Sequence, residues 1–434
     1  MMEDNTMLKD IDTNENHSDK KRKQANRITI SIIAGCLAII IGNVTINTDI
    51  AWRTKRQLEN QITGKTSIQG ASYEGELDWG IFEGVGKLTC DSGMTLSGTW
   101  SNNYLQGEGT AEFDDSSKYE GEYKNTLRNG QGTFVWANGD QYVGNWKDDQ
   151  FDGNGTYTWS NGDCYTGSFK KGRATGKGEY HWNNGDVCIG TFKNGKANGK
   201  AKIVFSTGES YNGSFTKGKY DGAGTFKYPE IGEYSGEFKD SKRNGTGTFS
   251  WKNGDKYNGE WKDDYINGEG KVTFANGDVL QGTFSEGVLF DGTYSTIEDD
   301  IHYTIYLIKG FITKATVEFE DGTICSGECK GSSFDGEASI KYSNGDEYKG
   351  TLSNGKKDGD GVYTWDNGAK YEGAWQDDNM NGKGTYYFPD DDDGYKIVGT
   401  FSDNQPEGIC QYYTNSKKHY ETEWSNGKCI KLTE

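Results

Sequence analysis

Residues 142–163 read YVGNWKDDQFDGNGTYTWSNGD, and this stretch decides the fold. Tyr142 and Trp146 flank a central glycine at two-residue spacing, and Tyr157 and Trp159 stand two apart further along. Successive side chains of a strand point to opposite faces, so each run places its rings on one face. The positions between the rings are mostly polar. This alternation predicts two antiparallel strands with one dry face.

The stretch is one copy of an internal repeat. The glycine of its Y-x-G signature recurs every 23 residues through ten units without an insertion. These glycines are Gly75, Gly98, Gly121, Gly144, Gly167, Gly190, Gly213, Gly236, Gly259 and Gly282. The register weakens at Ile305, resumes at Gly327 and ends in a degenerate copy around Tyr420. We count about 16 copies and expect the array to bend or loosen around residues 285–335.

Short turns separate consecutive runs. Seven of them contain Asn-Gly, a strong hairpin signal, because both central positions of a type I′ turn need positive φ. The pairs are Asn138-Gly139, Asn161-Gly162, Asn184-Gly185, Asn253-Gly254, Asn276-Gly277, Asn344-Gly345 and Asn367-Gly368. Glycines inside the runs weaken a strand, so they need another reason. We expect each to leave a gap that an aromatic ring of a neighbouring strand covers, which gives a thin but dense core.

The units resemble a known family. The copies that begin at Tyr119, Tyr165 and Tyr371 resemble MORN repeats, the membrane occupation and recognition nexus motif, over roughly residues 73–424. Departures from the motif lie at Leu96, Leu280, Ile305 and in the copy from Cys325 to Cys329. The resemblance implies an all-β fold, an elongated single layer of antiparallel β-hairpins. It also implies membrane tethering, lipid contact, scaffolding or dimerisation.

An apolar segment precedes the repeats. Residues 28–46 read ITISIIAGCLAIIIGNVTI without a charge, and at about 1.5 Å per residue they nearly match a hydrocarbon core of about 30 Å. They predict a transmembrane signal-anchor helix. Five basic residues at 20–27 against three at 53–56 favour a cytoplasmic N-terminus and extracytoplasmic repeats, with cytoplasmic repeats as the alternative. A cleaved signal peptide or a buried soluble segment are the other interpretations.

The predicted organisation follows from these segments. It comprises a charged tail at 1–27, the anchor helix at 28–46, a stalk at 47–72, a first array at 73–295, degenerate repeats at 296–335, and a second array with a C-terminal cap at 336–434. Some relatives carry a lipid kinase or methyltransferase domain, but the repeats leave no room for one here. We therefore expect no enzyme.

The charge of the chain restricts its partners. The formal net charge is −19, and the tail at 1–27 contributes none of it, with six acidic and six basic residues. A negative body repels phosphates, so we exclude nucleic acid and disfavour bulk adhesion to anionic lipid. Aromatic residues make up 13% of the chain, which argues against disorder.

No group of side chains in the sequence indicates a catalytic, metal-binding or cofactor-binding site. Cys325 and Cys329 on one strand would lie about 13 Å apart, too far for a disulfide. The acidic run Asp390–Asp393 is a candidate calcium loop, but Pro389 stands where the first ligand is needed, so a solvated insertion is favoured. Lysines such as Lys147 sit beside acidic turn residues and fit solvated charges. We predict no catalytic, cofactor-binding or metal-binding residue.

Two functions stay open from the sequence. The first is a membrane-anchored scaffold that presents an extended sheet to protein partners. The alternative is an envelope glycan- or lipid-binding module that uses the aromatic face. A free edge strand also favours association between copies.

Overall fold

The computed structural model describes residues 62–68, 70–389, 395–414 and 419–433. All regular structure in these ranges is β-strand, so the all-β prediction is confirmed. The predicted anchor at 28–46 and the acidic run at 390–393 lie outside them. Within the described ranges, no helix is long and apolar enough to span a membrane.

The chain divides into two compact units. The first contains the described residues up to Pro229 together with Glu237–Ser241, and the second contains Glu230–Gly236 and the residues from Lys242 onward. The strands up to Pro229 are β1 (Ile62–Ile68), β2 (Ala71–Asp78), β3 (Ile81–Cys90), β4 (Thr95–Ser101), β5 (Tyr104–Glu112), β6 (Lys118–Lys124), β7 (Leu127–Val135), β8 (Gln141–Lys147), β9 (Gln150–Thr158), β10 (Cys164–Lys170), β11 (Arg173–His181), β12 (Val187–Lys193), β13 (Lys196–Val204), β14 (Ser210–Thr216) and β15 (Lys219–Tyr228). Strand β16 (Gly232–Lys239) contributes residues to both units.

The remaining strands belong to the second unit. They are β17 (Lys242–Trp251), β18 (Lys256–Lys262), β19 (Tyr265–Thr273), β20 (Val279–Ser285), β21 (Val288–Glu298), β22 (Ile301–Ile308), β23 (Phe311–Glu318), β24 (Ile324–Lys330), β25 (Ser333–Lys341), β26 (Glu347–Ser353), β27 (Lys356–Thr364), β28 (Lys370–Gln376), β29 (Asn379–Tyr387), β30 (Lys396–Ser402), β31 (Gln405–Tyr413), β32 (His419–Ser425) and β33 (Lys428–Thr433).

Consecutive strands pair antiparallel in chain order, from β1 to β15 in the first unit and from β17 to β33 in the second. Between β8 and β9, Tyr142 lies opposite Tyr157 and Gly144 opposite Gly155. The register then shifts before Trp146, which lies opposite Phe151. Between these two pairs, one residue of β8 faces three residues of β9, so the bulge places two extra residues in β9.

Two kinds of turn alternate along the array. Two-residue turns such as Asp148-Asp149 have φ of 47° and 64°, as a type I′ turn requires. The Asn-Gly turns were predicted to be of this kind, and that prediction is wrong. In the loop from Trp136 to Asp140 only Gly139 has positive φ, at 89°. Its N–H donates to the Trp136 carbonyl at 2.9 Å, which closes a β-turn followed by a left-handed glycine.

The asparagine of these loops has a different task from the one predicted. The Asn138 side-chain oxygen accepts the Asp140 N–H at 3.0 Å. Asparagine is therefore selected for this local side-chain hydrogen bond, and only the following glycine is selected for its left-handed backbone.

Strands β21 to β24 run through the region where we expected the array to bend or loosen. Their pairing is unbroken. Their core is thinner, because Val317 is the only well-buried apolar side chain between Leu289 and Cys325 in this described stretch. The hydrogen-bond ladder thus persists where the ring packing weakens.

Candidate functional site

A tyrosine lying over two glycines is the unit of the core. The Tyr142 side chain is 0% exposed. A Cβ built on Gly155 of the neighbouring strand would overlap the Tyr142 ring, and one built on Gly144 would contact its hydroxyl. The predicted reason for glycine inside these strands is confirmed here. Gly153 has a separate reason, since its φ of 115° is open mainly to glycine.

The polar ends of the first-strand rings satisfy the backbone that the bulge disturbs. The Tyr142 hydroxyl donates to the Asn145 carbonyl at 2.9 Å, and the Trp146 indole donates to the Gly132 carbonyl at 3.1 Å. Tyr257 and Trp261 do the same toward Glu260 and Gly247. These rings therefore serve both as core and as hydrogen-bond donors.

Burial keeps the core tyrosines protonated. Desolvation raises the pKa of Tyr165 to about 12 and, with nearby acidic residues such as Glu260, raises the pKa of Tyr257 to about 12. A buried phenolate would lose its hydration, so the neutral donor is the favoured form.

A slot against the core tyrosine holds a ring, a cation or an aliphatic side chain, depending on the repeat. Phe151 fills it by stacking on Tyr142 with ring centroids 3.8 Å apart. At the equivalent position of an earlier repeat stands Arg128, whose guanidinium lies 4.4 Å from the Trp146 ring centroid. Its Nε pairs with Asp149 at 2.9 Å, and both side chains are 3% exposed.

The sequence analysis missed this ion pair. Asp149 and Asp264 were read as neighbours of solvated lysines, but they bind Arg128 and Arg243, each 21 residues earlier. The signal in the sequence was that Arg128 stands at the repeat position that Phe151 occupies in the next repeat. Lys357 occupies the same slot, and desolvation lowers its pKa. Four rings surround its ammonium group, with centroids 5.2 to 5.8 Å away.

A second set of rings lies at the ends of the second strands and, apart from Tyr157, is only partly buried. We call Trp136, Tyr157, Trp159, Tyr180 and Trp182 the tryptophan row. Successive ring centroids are 5.3, 4.6, 5.2 and 4.5 Å apart. The three tryptophans remain partly exposed. Their indole N–H groups have no acceptor among the described residues, whereas buried Trp146 and Trp261 donate to backbone carbonyls.

Carboxylates run alongside the tryptophan row. Asp140 accepts the Tyr157 hydroxyl at 2.8 Å, and Asp163 accepts the Tyr180 hydroxyl at 3.1 Å. Each also accepts a backbone N–H of the next loop, from Ser160 and Asn183 respectively, at 2.9 Å. These bonds join successive repeats, and they place one negative charge per repeat beside the rings.

The other features singled out in the sequence form no site in the described ranges. Cys325 and Cys329 lie on the one strand β24 as thiols. No group of three or more His, Cys, Asp or Glu in these ranges is placed to hold a metal ion.

The same hairpin defines the family. The family model described as MORN repeat matches twelve segments, residues 73–95, 97–118, 119–141, 142–164, 165–187, 188–210, 211–230, 234–256, 257–279, 348–370, 371–393 and 398–417. Together they cover more than half of the chain. The protein belongs to the MORN-repeat family. The matches leave out residues 280–347 of this MORN protein, where the ring core is thin.

Other comparisons add nothing to the MORN assignment. No curated protein matches the chain. The SAS-4 TCP domain of Drosophila melanogaster, solved with a proline-rich motif of Ana2, is 12% identical, covering 46% of this chain and 84% of that one, with a TM-score of 0.17. Virginiamycin B lyase of Staphylococcus aureus is 12% identical over 84% of this chain and 96% of that one, with a TM-score of 0.12. At such TM-scores neither likeness carries an argument.

Proposed function

We propose that this MORN protein is a non-enzymatic, membrane-anchored scaffold that presents an extended β-sheet of about 16 repeats to protein partners. The observation that supports it is that the described residues from 70 onward form one β-hairpin after another, and that the tyrosines of the Y-x-G runs are buried in the core of the sheet itself. The apolar segment at 28–46 supports the anchor, and its flanking charges support extracytoplasmic repeats.

Topology and partners test this proposal separately. Protease added to intact cells should digest the repeats if they are extracytoplasmic, and alkaline carbonate should leave the full-length protein in the membrane. Deleting residues 28–46 should release it. Proximity labelling by the full-length protein in its native membrane should identify the same protein neighbours repeatedly. Release of the intact protein by carbonate would disprove the anchor, and labelling no different from an unrelated anchored protein would disprove the scaffold.

A glycan- or lipid-binding module is the second candidate. One observation favours it, which is the partial exposure of the tryptophan row, since flat rings stack on sugars. Binding of oligosaccharides and of phosphoinositide-containing vesicles to the full-length protein in detergent tests it. Failure of both ligands to bind would remove this candidate.

A further inference from the structure

We propose that the tryptophan row, Trp136 to Trp182, is a docking site for a proline-rich, basic peptide segment in the polyproline II conformation. The inference names the class of partner for the scaffold function proposed above and rests on that function. All five rings belong to the first compact unit, so the site lies within that one unit.

The spacing of the row selects the conformation of the ligand. Consecutive tryptophans are two strands apart, which is about 9.6 Å at 4.8 Å per strand. A polyproline II helix advances about 9.3 Å per turn of three residues, so every third residue meets the next tryptophan. An extended strand shows the same face every ~6.7 Å and falls out of step with the row.

The indole groups favour a ligand with free backbone carbonyl groups over an α-helix. Trp136, Trp159 and Trp182 each present an N–H without an acceptor in the described chain, and a ligand with acceptor oxygens at this spacing can use them. The carbonyls of an α-helix are engaged internally, whereas a polyproline II segment makes no internal hydrogen bonds. Aromatic-lined grooves recognise proline-rich segments in this way.

The charge beside the row selects basic residues in the ligand. Asp163, which is partly exposed, and Asp140 and Asp186, which are buried, follow the rings at one per repeat, and none forms an ion pair within the described residues. The chain as a whole is strongly acidic. A neutral sugar would use the rings but not these charges, so the observations favour a cationic peptide.

Substitution to phenylalanine tests the site without opening the core. Phe113, Phe205 and Phe274 occupy the tryptophan position in other repeats, so the fold accepts phenylalanine there. The triple variant Trp136→Phe, Trp159→Phe and Trp182→Phe removes three N–H donors and retains ring packing. Trp251→Phe is the matched control, because the next repeat has Val272 where the row has a tyrosine.

The measurement is binding of fluorescent synthetic peptides to the full-length protein in detergent. A peptide of repeating Pro-Pro-Lys triplets should bind, and one of repeating Gly-Gly-Lys triplets should bind about tenfold more weakly or worse, because it must pay to become ordered. The triple variant should weaken binding of the proline peptide about tenfold or more, and Trp251→Phe should leave it unchanged.

The contrary results are equally definite. Equal binding of the two peptides, or full binding by the triple variant, would overturn the inference. So would a row that binds a neutral cello-oligosaccharide in place of the peptide. If the triple variant labels the same neighbours as the unaltered protein, the scaffold function is supported and the docking site at the tryptophan row is disproved. If the unaltered protein labels no specific neighbour, the scaffold function itself falls.

Discussion

The hairpin of β8 and β9 and the hairpin of β22 and β23 are both antiparallel pairs with a bulge, but their cores differ. In the first, Tyr142 lies over Gly144 and Gly155 and is 0% exposed. In the second, Tyr303 stands at the tyrosine position, but Ile305 and Ala315 replace the two glycines. Tyr303 is left partly exposed.

The contrast shows that the tyrosine and the glycines beneath its ring form one structural unit. Three other repeats vary both partners together: Cys188 accompanies Ala201, Cys325 accompanies Ala338, and Ile397 accompanies Cys410. Where the tyrosine is absent, the second glycine is no longer needed, and a small side chain fills its space. Strand pairing survives either way, because the ladder is made by the backbone.

Adding a side chain under the ring should give the largest effect. Gly155→Val should destabilise the β8–β9 region by about 3–5 kcal/mol, because the Tyr142 ring must leave its site. Ala315→Val, at the same position of the degenerate hairpin, should cost about 1 kcal/mol or less. Hydrogen exchange of peptides from each hairpin measures both. Equal losses of stability in the two hairpins would show that the packing of the ring over glycine does not distinguish them.

Removal of the buried carboxylate should have the next largest effect. Asp149→Ala leaves the Arg128 guanidinium buried without its partner, which should cost about 3 kcal/mol. Arg128→Met in the same chain should restore most of the loss, since Met380 occupies this slot in another repeat. Hydrogen exchange of β7 reports both variants. No rescue by methionine would mean that the slot requires a cation.

Removal of a single hydroxyl should have a smaller effect. Tyr142→Phe frees the Asn145 carbonyl and should cost about 1 kcal/mol. Tyr303→Phe should cost near zero, because no buried carbonyl depends on it. Thermal unfolding, with local hydrogen exchange as the second readout, distinguishes the two variants. A large cost at Tyr303 would show that the degenerate hairpin is better packed than its exposure indicates.

The core tyrosines make the stability of the array depend on pH in the alkaline range. The pKa of Tyr165 is raised to about 12 by burial, whereas an unfolded tyrosine ionises near 10. The stability from this tyrosine is therefore complete below pH ~10 and is lost as pH rises through about 12. Exchange-protected amides of β10 should open in this window. Residues 311–330 contain no tyrosine and serve as the internal reference.

Much of the array was predictable because its causes are local. The alternation of ring and polar residues and the 23-residue period predicted where the strands lie. The space that a neighbouring aromatic ring requires explained Gly155. The turn type at Asn138-Gly139 was not predictable from the dipeptide, because two loop geometries use the same glycine. The pair of Arg128 and Asp149 was missed because its members lie 21 residues apart and meet only across strands.

The sequence by itself determined the hairpins, their order and the family, since each depends on spacing within one or two repeats. Only the tertiary structure decided which rings are core and which remain available. Tyr142 and Trp159 are both aromatic residues at regular strand positions, and composition does not separate them. The bulge gives Tyr142 a carbonyl to cap and glycines to cover, whereas Trp159 follows its strand at a loop and has an N–H without an acceptor among the described residues.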